Sequence, residues 1–130
     1  TPPIQHLGDP VSVTLSYNPA FDPNNVKDFG PAKIEHRTAA SQLTQLGTYF
    51  MIFDGTEFSD PWTVQYEETI YVIEGQARLL VIDGENEESL IGDRDELIVL
   101  PKGTTVRYGA VPGTRLLLSI APVNWRNAGA

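Results

Sequence analysis

The sequence predicts an all-β protein whose antiparallel sheets close into a sandwich or a jelly-roll barrel. Apolar runs with alternating polarity recur along the 130 residues, turn signals separate them, and no segment keeps the 3.6-residue period of a helix. A hydrophobic content of 41% is enough for the core of one domain. Roughly nine or ten short strands without helices between them favour closed or packed antiparallel sheets.

Residues 1–30 are predicted to form an N-terminal arm and loop. Residues 11–17 alternate apolar and polar side chains, as a half-buried strand does. Turn signals follow at Asn18-Pro19, Asp22-Pro23 and Gly30-Pro31. We expect one short helical turn at residues 26–29, inside this loop.

The barrel is predicted to cover residues 31–130. Residues 32–38 alternate as a strand does, with His36 on the face of Ile34. Further β-rich runs occupy residues 43–53, 70–73, 77–82, 97–100, 104–109 and 114–121. Asp83-Gly84 is typical of a hairpin turn.

The acidic residues are concentrated in one segment. Residues 83–96 contain seven Asp and Glu side chains, which we interpret as a solvated hairpin and loop, with a cation or partner site as the alternative. The formal net charge of -8 disfavours nucleic acid as a partner, because few cations are present to replace phosphate counterions.

The composition also restricts the cellular setting and the chemistry. The chain has no cysteine, so disulfides, Cys-based metal sites and Cys nucleophiles are excluded. No apolar run reaches the length of a membrane span, and no signal peptide is evident, so we expect a cytoplasmic protein without membrane contact. Phosphate-binding loops, Rossmann glycine patterns and Gly-x-Ser-x-Gly elbows are absent from the sequence.

Two separated motifs resemble those of cupins. In the first, Glu68 and Gly75 have the spacing of a Glu and the Gly that closes its hairpin, while Pro61 and Thr63 stand where that motif has two histidines. In the second, the turn Pro101-Lys102-Gly103 is in register, and Val106 stands where a third histidine would be. The resemblance implies a jelly-roll barrel without the usual three-His metal site.

Within the cupins, the chain resembles the EutQ-type ethanolamine-utilisation proteins. Residues 61–68, with Pro-Trp-Thr-x-x-Tyr-x-Glu, and the tail Pro122-Val123-Asn124-Trp125 support this resemblance. That family is associated with acetate-kinase activity and with bacterial microcompartments. The resemblance further implies a homodimer in which the arm crosses the barrel or the partner subunit.

Glu68 is the strongest candidate for a catalytic residue. Its motif position implies that it faces the barrel interior, where loss of water raises the pKa of a carboxyl group toward neutrality. Its structural alternative is a Glu bonded to backbone amides or to a cation. Tyr66 is the second candidate, because its phenol would donate a hydrogen bond to a developing oxyanion or a substrate carboxylate.

Seven further residues are expected to bind or surround a substrate. Thr63 and Gln65 would be hydrogen-bonding specificity groups, while Tyr49, Met51 and Trp62 would shape the pocket. Strand alternation from Val106 turns Tyr108 inward, and His36 shares an apolar face. We expect Trp125 to pack on the outside of the barrel.

These residues predict a small-molecule enzyme that uses acid/base chemistry without a classical metal site or other cofactor. An isomerase, lyase, hydratase or cyclase acting on a small polar organic substrate fits this pattern. One alternative is a non-catalytic cupin that binds a metabolite or supports an assembly. Another is an enzyme with an atypical metal held by Glu68, His36, Tyr66 and water.

Overall fold

The computed structural model describes residues 26–38 and 41–128, and these form ten β-strands and one short helix. The strands are β1 (Val26–Phe29), β2 (Ala32–His36), β3 (Gly47–Phe53), β4 (Trp62–Thr63), β5 (Glu67–Glu74), β6 (Gln76–Asp83), β7 (Asn86–Asp93), β8 (Leu97–Leu100), β9 (Thr105–Ala110) and β10 (Arg115–Ala121). The helix α1 covers Trp125–Ala128. The predicted all-β architecture is confirmed.

The strands form two antiparallel sheets. One has six strands in the order β1-β2-β3-β10-β5-β8, and the other has four in the order β4-β9-β6-β7. Strand β10 is central to the larger sheet, where it pairs with β3 on one side and β5 on the other. Its side chains alternate, so that Leu116, Leu118 and Ile120 are buried.

Apolar side chains from both sheets fill the space between them. The largest buried side chains of this core are Tyr108, Phe53, Met51, Ile70, Leu79 and Leu116. Each fully buried aliphatic or aromatic side chain of this size stabilises the fold by about 1.5–3 kcal/mol. The described residues contain no helix that is long and apolar enough to cross a membrane.

The tight turn that carries the chain from β5 in one sheet to β6 in the other explains why the first motif ends in glycine. Gly75 has a φ of 87°, in the left-handed region that strains other residues. A Cβ atom at Gly75 would also collide with the Thr114 side chain. Thr114 Oγ1 accepts a hydrogen bond from the backbone N–H of Gln76 at 3.0 Å, so the close approach is part of the turn.

The helical turn predicted at residues 26–29 is wrong, because this segment is strand β1. Gly30, with a φ of 59°, reverses the chain, and β1 then pairs with β2 from Val26↔Glu35 to Phe29↔Ala32. The pairing satisfies backbone groups that a single helical turn would leave to water. The strand predicted at residues 11–17, and His6, lie outside the described residues.

The acidic segment supplies the second strand of the predicted hairpin. Residues 86–93 form β7, which pairs with β6 along its whole length. Gly92 is the one buried residue of β7, and the acidic side chains Glu87 and Glu88 are exposed. Charges on an edge strand oppose pairing with another chain, so the solvated character that we predicted is compatible with a strand.

Candidate functional site

A cavity of about 380 Å³ opens between the two sheets. Its walls come from both sheets and from α1. The lining residues are Lys27, Asp28, Phe29, Ile34, His36, Tyr49, Met51, Trp62, Tyr66, Glu68, Tyr108, Leu118, Ile120, Trp125 and Arg126. All the residues expected at the site belong to this set except Thr63 and Gln65.

Glu68 and Tyr108 form the polar centre of the cavity. Glu68 lies on β5, Tyr108 lies on β9, and each is only 2% exposed. Tyr108 Oη donates a hydrogen bond of 2.7 Å to Glu68 Oε1. No other donor among the described residues bonds the Glu68 carboxyl group. Oε2 is therefore the oxygen left for a ligand.

The environment of Glu68 places its ionisation near neutrality. Burial raises its pKa from the ordinary value of 4.5 to about 7, and the hydrogen bond from Tyr108 opposes part of that rise. Burial, and then the negative charge on Glu68, raise the pKa of Tyr108 well above its ordinary value. Tyr108 consequently stays a proton donor whenever Glu68 is ionised.

Tyr66 presents a second phenol to the cavity. Its Oη accepts a hydrogen bond of 3.0 Å from Trp62 Nε1, an atom that can only donate. Burial is the main cause that raises the pKa of Tyr66 to about 12, so the phenol keeps its proton at neutral pH. Because the Trp62 bond uses an acceptor site, the O–H of Tyr66 is left to donate to a ligand.

His36 and Tyr49 form one wall of the cavity. Their rings stack with centroids 4.4 Å apart, and His36 Nε2 lies 3.1 Å from Thr38 Oγ1. Burial, and then the positive charge of Lys27, lower the pKa of His36, so its imidazole is neutral at pH 7. A neutral imidazole in this place can accept or donate a hydrogen bond without adding charge.

Four aromatic rings that line the cavity pack edge to face. Phe29 meets Trp62 at 6.2 Å and Tyr108 at 5.5 Å, while Trp125 meets Trp62 at 5.7 Å. Trp125 also lies 5.6 Å from Tyr66. The expectation that Trp125 packs outside the barrel is wrong, because the chain after β10 turns back and places this ring against the cavity.

Thr63 and Gln65, expected as specificity groups, lie outside the cavity and are exposed. Thr63 Oγ1 lies 2.6 Å from Thr105 Oγ1, and the Gln65 side chain donates to the Thr63 carbonyl. Alternation explains this placement, since counting back from inward-facing Glu68 turns residues 66, 64 and 62 inward and residues 65 and 63 outward.

The same alternation bears on the metal question. Pro61 and Thr63, which stand at the histidine positions of the first motif, are exposed, and the positions before Glu68 that face inward are Trp62 and buried Val64. In the second motif buried Val106 faces inward. None of these side chains is a metal ligand. No group of three or more His, Cys, Asp and Glu side chains that could hold a metal ion occurs in the described residues. Trp62, Val64 and Val106 therefore do not offer the ligands of the usual cupin metal site.

Some cavity residues were not predicted from the sequence. Leu118 and Ile120 follow from the alternation of β10, which offered a usable signal. Lys27, Phe29 and Arg126 come from segments that had been assigned to a loop and to the tail. Only the chain path brings those segments to the cavity, so no local pattern identifies them.

Comparison with known proteins gives the chain its relatives. The family model described as ethanolamine utilisation protein EutQ matches residues 11–127. Two curated relatives named acetate kinase EutQ are 30% identical over 78 residues in Salmonella typhimurium and 32% identical over 81 residues in Clostridioides difficile. Those alignments cover 60% and 62% of this chain, but only 31% and 48% of the relatives. The chain thus matches less than half of their length.

Solved structures confirm the fold. The Clostridium difficile EutQ protein superposes with a TM-score of 0.63 at 24% identity, covering 75% of this chain and 66% of that one. Pac13, described as a nucleoside dehydratase, superposes with a TM-score of 0.61 at 16% identity, covering 82% and 83%. At these identities the likeness concerns the barrel alone.

Proposed function

Because the chain belongs to the EutQ family of cupin proteins and encloses a carboxyl group poised near neutrality, we propose that it is a small-molecule enzyme that transfers protons. Glu68 is the acid/base group. The observation that carries the proposal is the buried hydrogen bond of 2.7 Å from Tyr108 to Glu68 inside a cavity of about 380 Å³. Isomerisation, elimination, hydration and cyclisation are the reaction types that need this chemistry.

The proton on Glu68 has a defined place. Since Tyr108 already donates to Oε1, the protonated carboxyl group carries its proton on Oε2. With a pKa of about 7, Glu68 is present in both the acid and the base forms at neutral pH. It can therefore take a proton from a substrate carbon or oxygen in one step and return it to another atom in the next.

Tyr66 complements this transfer. When a proton leaves a carbon beside a carbonyl group, negative charge develops on the carbonyl oxygen. The free O–H of Tyr66 can donate to that oxygen, and the bond from Trp62 holds the phenol in place. The neutral imidazole of His36 supplies a further polar contact on the wall of the cavity.

The acetate-kinase activity named for the curated relatives is not part of this proposal. Phosphoryl transfer relies on groups that hold and neutralise nucleotide phosphates. The chain has no Gly-x4-Gly-Lys-Ser/Thr loop, and it matches less than half of the length of those relatives.

We further propose a cytoplasmic homodimer. The homodimer is supported by exposed apolar side chains on the six-stranded sheet such as Leu97 and Val99.

Solvent deuterium exchange tests the proposal before a substrate is known. Small oxo, hydroxy and carboxylic compounds are incubated with the protein in D₂O, and deuterium uptake at carbon is followed by NMR. We expect uptake into at least one compound, lost in Glu68→Gln and kept in Glu67→Gln, whose side chain is exposed. A compound that stabilises the protein to heat but never exchanges would instead indicate a binding module.

A further inference from the structure

Two basic side chains at the mouth of the cavity have no part in the proton transfer described above. Lys27 on β1 and Arg126 on α1 are both exposed and both line the cavity. Neither forms a salt bridge with a carboxylate within residues 26–38 and 41–128. In a chain with a formal net charge of -8, this mouth is a local site of attraction for an anion.

The fields of these two cations extend into the cavity. Arg126 Cζ lies 4.4 Å above the Trp125 ring, which fixes the guanidinium against the aromatic wall. Burial raises the pKa of Tyr66, and the charge of Arg126 opposes that rise. Lys27 acts in the same way on the other wall, where its charge adds to burial in lowering the pKa of His36.

The net charge of the mouth indicates which anion fits. Asp28 also lines the cavity, so when Glu68 is protonated the two cations and one carboxylate leave a single positive charge. A monoanion balances that charge, whereas a phosphate dianion would leave excess negative charge beside Asp28 and Glu68. Behind the mouth the walls are largely aromatic, formed by Phe29, Trp62 and Trp125, and such walls favour a flat apolar body.

We infer that the ligand of this cavity is a small carboxylic acid with a flat apolar body, whose carboxylate is held by Lys27 and Arg126 while the body extends toward Glu68. This inference rests on the proposed function, because it assumes that the reacting atoms lie beside Glu68. It adds the class of substrate and two specificity residues. A bound carboxylate would also favour the protonated form of Glu68, which repels it least.

Calorimetric titration with matched probes tests the inference without requiring turnover. Benzoate, benzamide and phenyl phosphate share a ring and differ in the charge of the attached group. We expect benzoate to bind at least about 5-fold more tightly than benzamide or phenyl phosphate in low salt. The preference for benzoate over benzamide should shrink as NaCl is added, because salt screens exposed charges.

Charge-removing variants identify the residues responsible. Lys27→Met and Arg126→Gln should each weaken benzoate binding by about 2- to 5-fold and leave benzamide binding unchanged, as expected for exposed ion pairs. Lys33→Met and Arg94→Gln are the controls, because both side chains are exposed and neither lines the cavity. Circular dichroism confirms that each variant is folded.

Each result decides the inference. Equal binding of benzoate and benzamide, absence of saturable benzoate binding, or unchanged affinity in Lys27→Met and Arg126→Gln would overturn it. Tighter binding of phenyl phosphate would show that a phosphate ester, not a carboxylate, is recognised. Selective benzoate binding without deuterium exchange in any carboxylic acid would uphold the recognition site and refute the proton chemistry, so the two failures are distinguishable.

Discussion

The hydrogen bond from Tyr108 Oη to Glu68 Oε1 connects the two sheets across the interior of the barrel. Glu68 belongs to the six-stranded sheet and Tyr108 to the four-stranded sheet, and the two oxygens are 2.7 Å apart. A buried carboxyl group with a single protein donor depends strongly on that donor. Burial raises the pKa of Glu68, and the relative position of the sheets, through this bond, limits how far the pKa rises.

Replacing Glu68 should separate chemistry from binding. Glu68→Gln keeps the shape of the side chain but cannot exchange a proton, so we expect turnover to fall by about 10²-fold or more. Ligand affinity should stay within a few-fold, as measured by calorimetry. Glu67→Gln, an exposed neighbour on the same strand, should retain full turnover. A variant that loses affinity alone would contradict the catalytic role.

The folding stability should fall as Glu68 ionises. Its pKa is about 7 in the folded protein against an ordinary value of 4.5, so the folded state holds the proton more tightly than the unfolded state. The stability that the folded protein gains by holding this proton is fully present below pH 4.5 and is lost as pH rises through 7. The loss amounts to on the order of 3 kcal/mol.

Urea unfolding of wild type and Glu68→Gln across pH 4–8 measures this contribution as a difference. The lowered pKa of His36 acts in the opposite direction and is common to both proteins. Burial, the main cause that raises the pKa values of Tyr66 and Tyr108, is present in both proteins, so these phenols stay protonated across this pH range. A difference in unfolding free energy that does not change with pH would show that the pKa of Glu68 in the folded protein is close to its ordinary value.

Removing the hydroxyl of Tyr108 should have a different effect from removing the hydroxyl of Tyr66. Tyr108→Phe deletes the hydrogen bond that lowers the pKa of Glu68, so the pKa should rise and the pH profile of exchange should move to higher pH. Tyr66→Phe should lower the rate with a smaller effect on that profile, because its Oη bonds Trp62 instead. Tyr71→Phe is the control, because the Tyr71 hydroxyl donates to the exposed Asp95 and does not line the cavity.

The protein purified without added metal should contain little iron, manganese, nickel or zinc. The inward positions of both motifs carry Trp62, Val64 and Val106, and oxygen-rich or single-His sites hold such metals less firmly than three-His sites. Elemental analysis provides the measurement. A near-stoichiometric metal that disappears in Glu68→Gln would support the atypical metal site instead.

Light scattering at micromolar concentration should give the mass of a homodimer. Val99 on the outer face of β8 is 64% exposed, and a lysine there would oppose burial against a second copy. We expect Val99→Lys to be monomeric. Ile91→Lys, at a residue 53% exposed on the four-stranded sheet, should remain dimeric. A monomeric wild type would contradict the proposed assembly.

Local patterns predicted the strands that carry their own alternation. Strands β3, β6, β8, β9 and β10 fall within or close to the predicted runs, and the position of Gly75 is explained by its turn. The inward orientation of Tyr108 also followed from period-two counting, and that of Glu68 followed from its motif position. These features depend on neighbours along the chain, which a sequence records directly.

The features that were missed depend on partners distant in sequence. Residues 26–29 are a strand because β2 offers an unpaired edge, and the four residues alone carry no alternation long enough to indicate it. Trp125 lines the cavity because the tail folds back over the sheet. That Glu68 is bonded by Tyr108 and not by Tyr66 required the distance across the sheets.

The central place of β10 has a consequence for how the chain acquires its fold. This strand lies between β3 and β5, yet it is made after all the other strands of the described residues. A nascent chain that stops before residue 115 has two half-sheets with exposed edges and no strand to join them. Pairing across such long separations is slow to nucleate, so we expect the two half-sheets to join only after β10 has been made, and their edges to need protection until then.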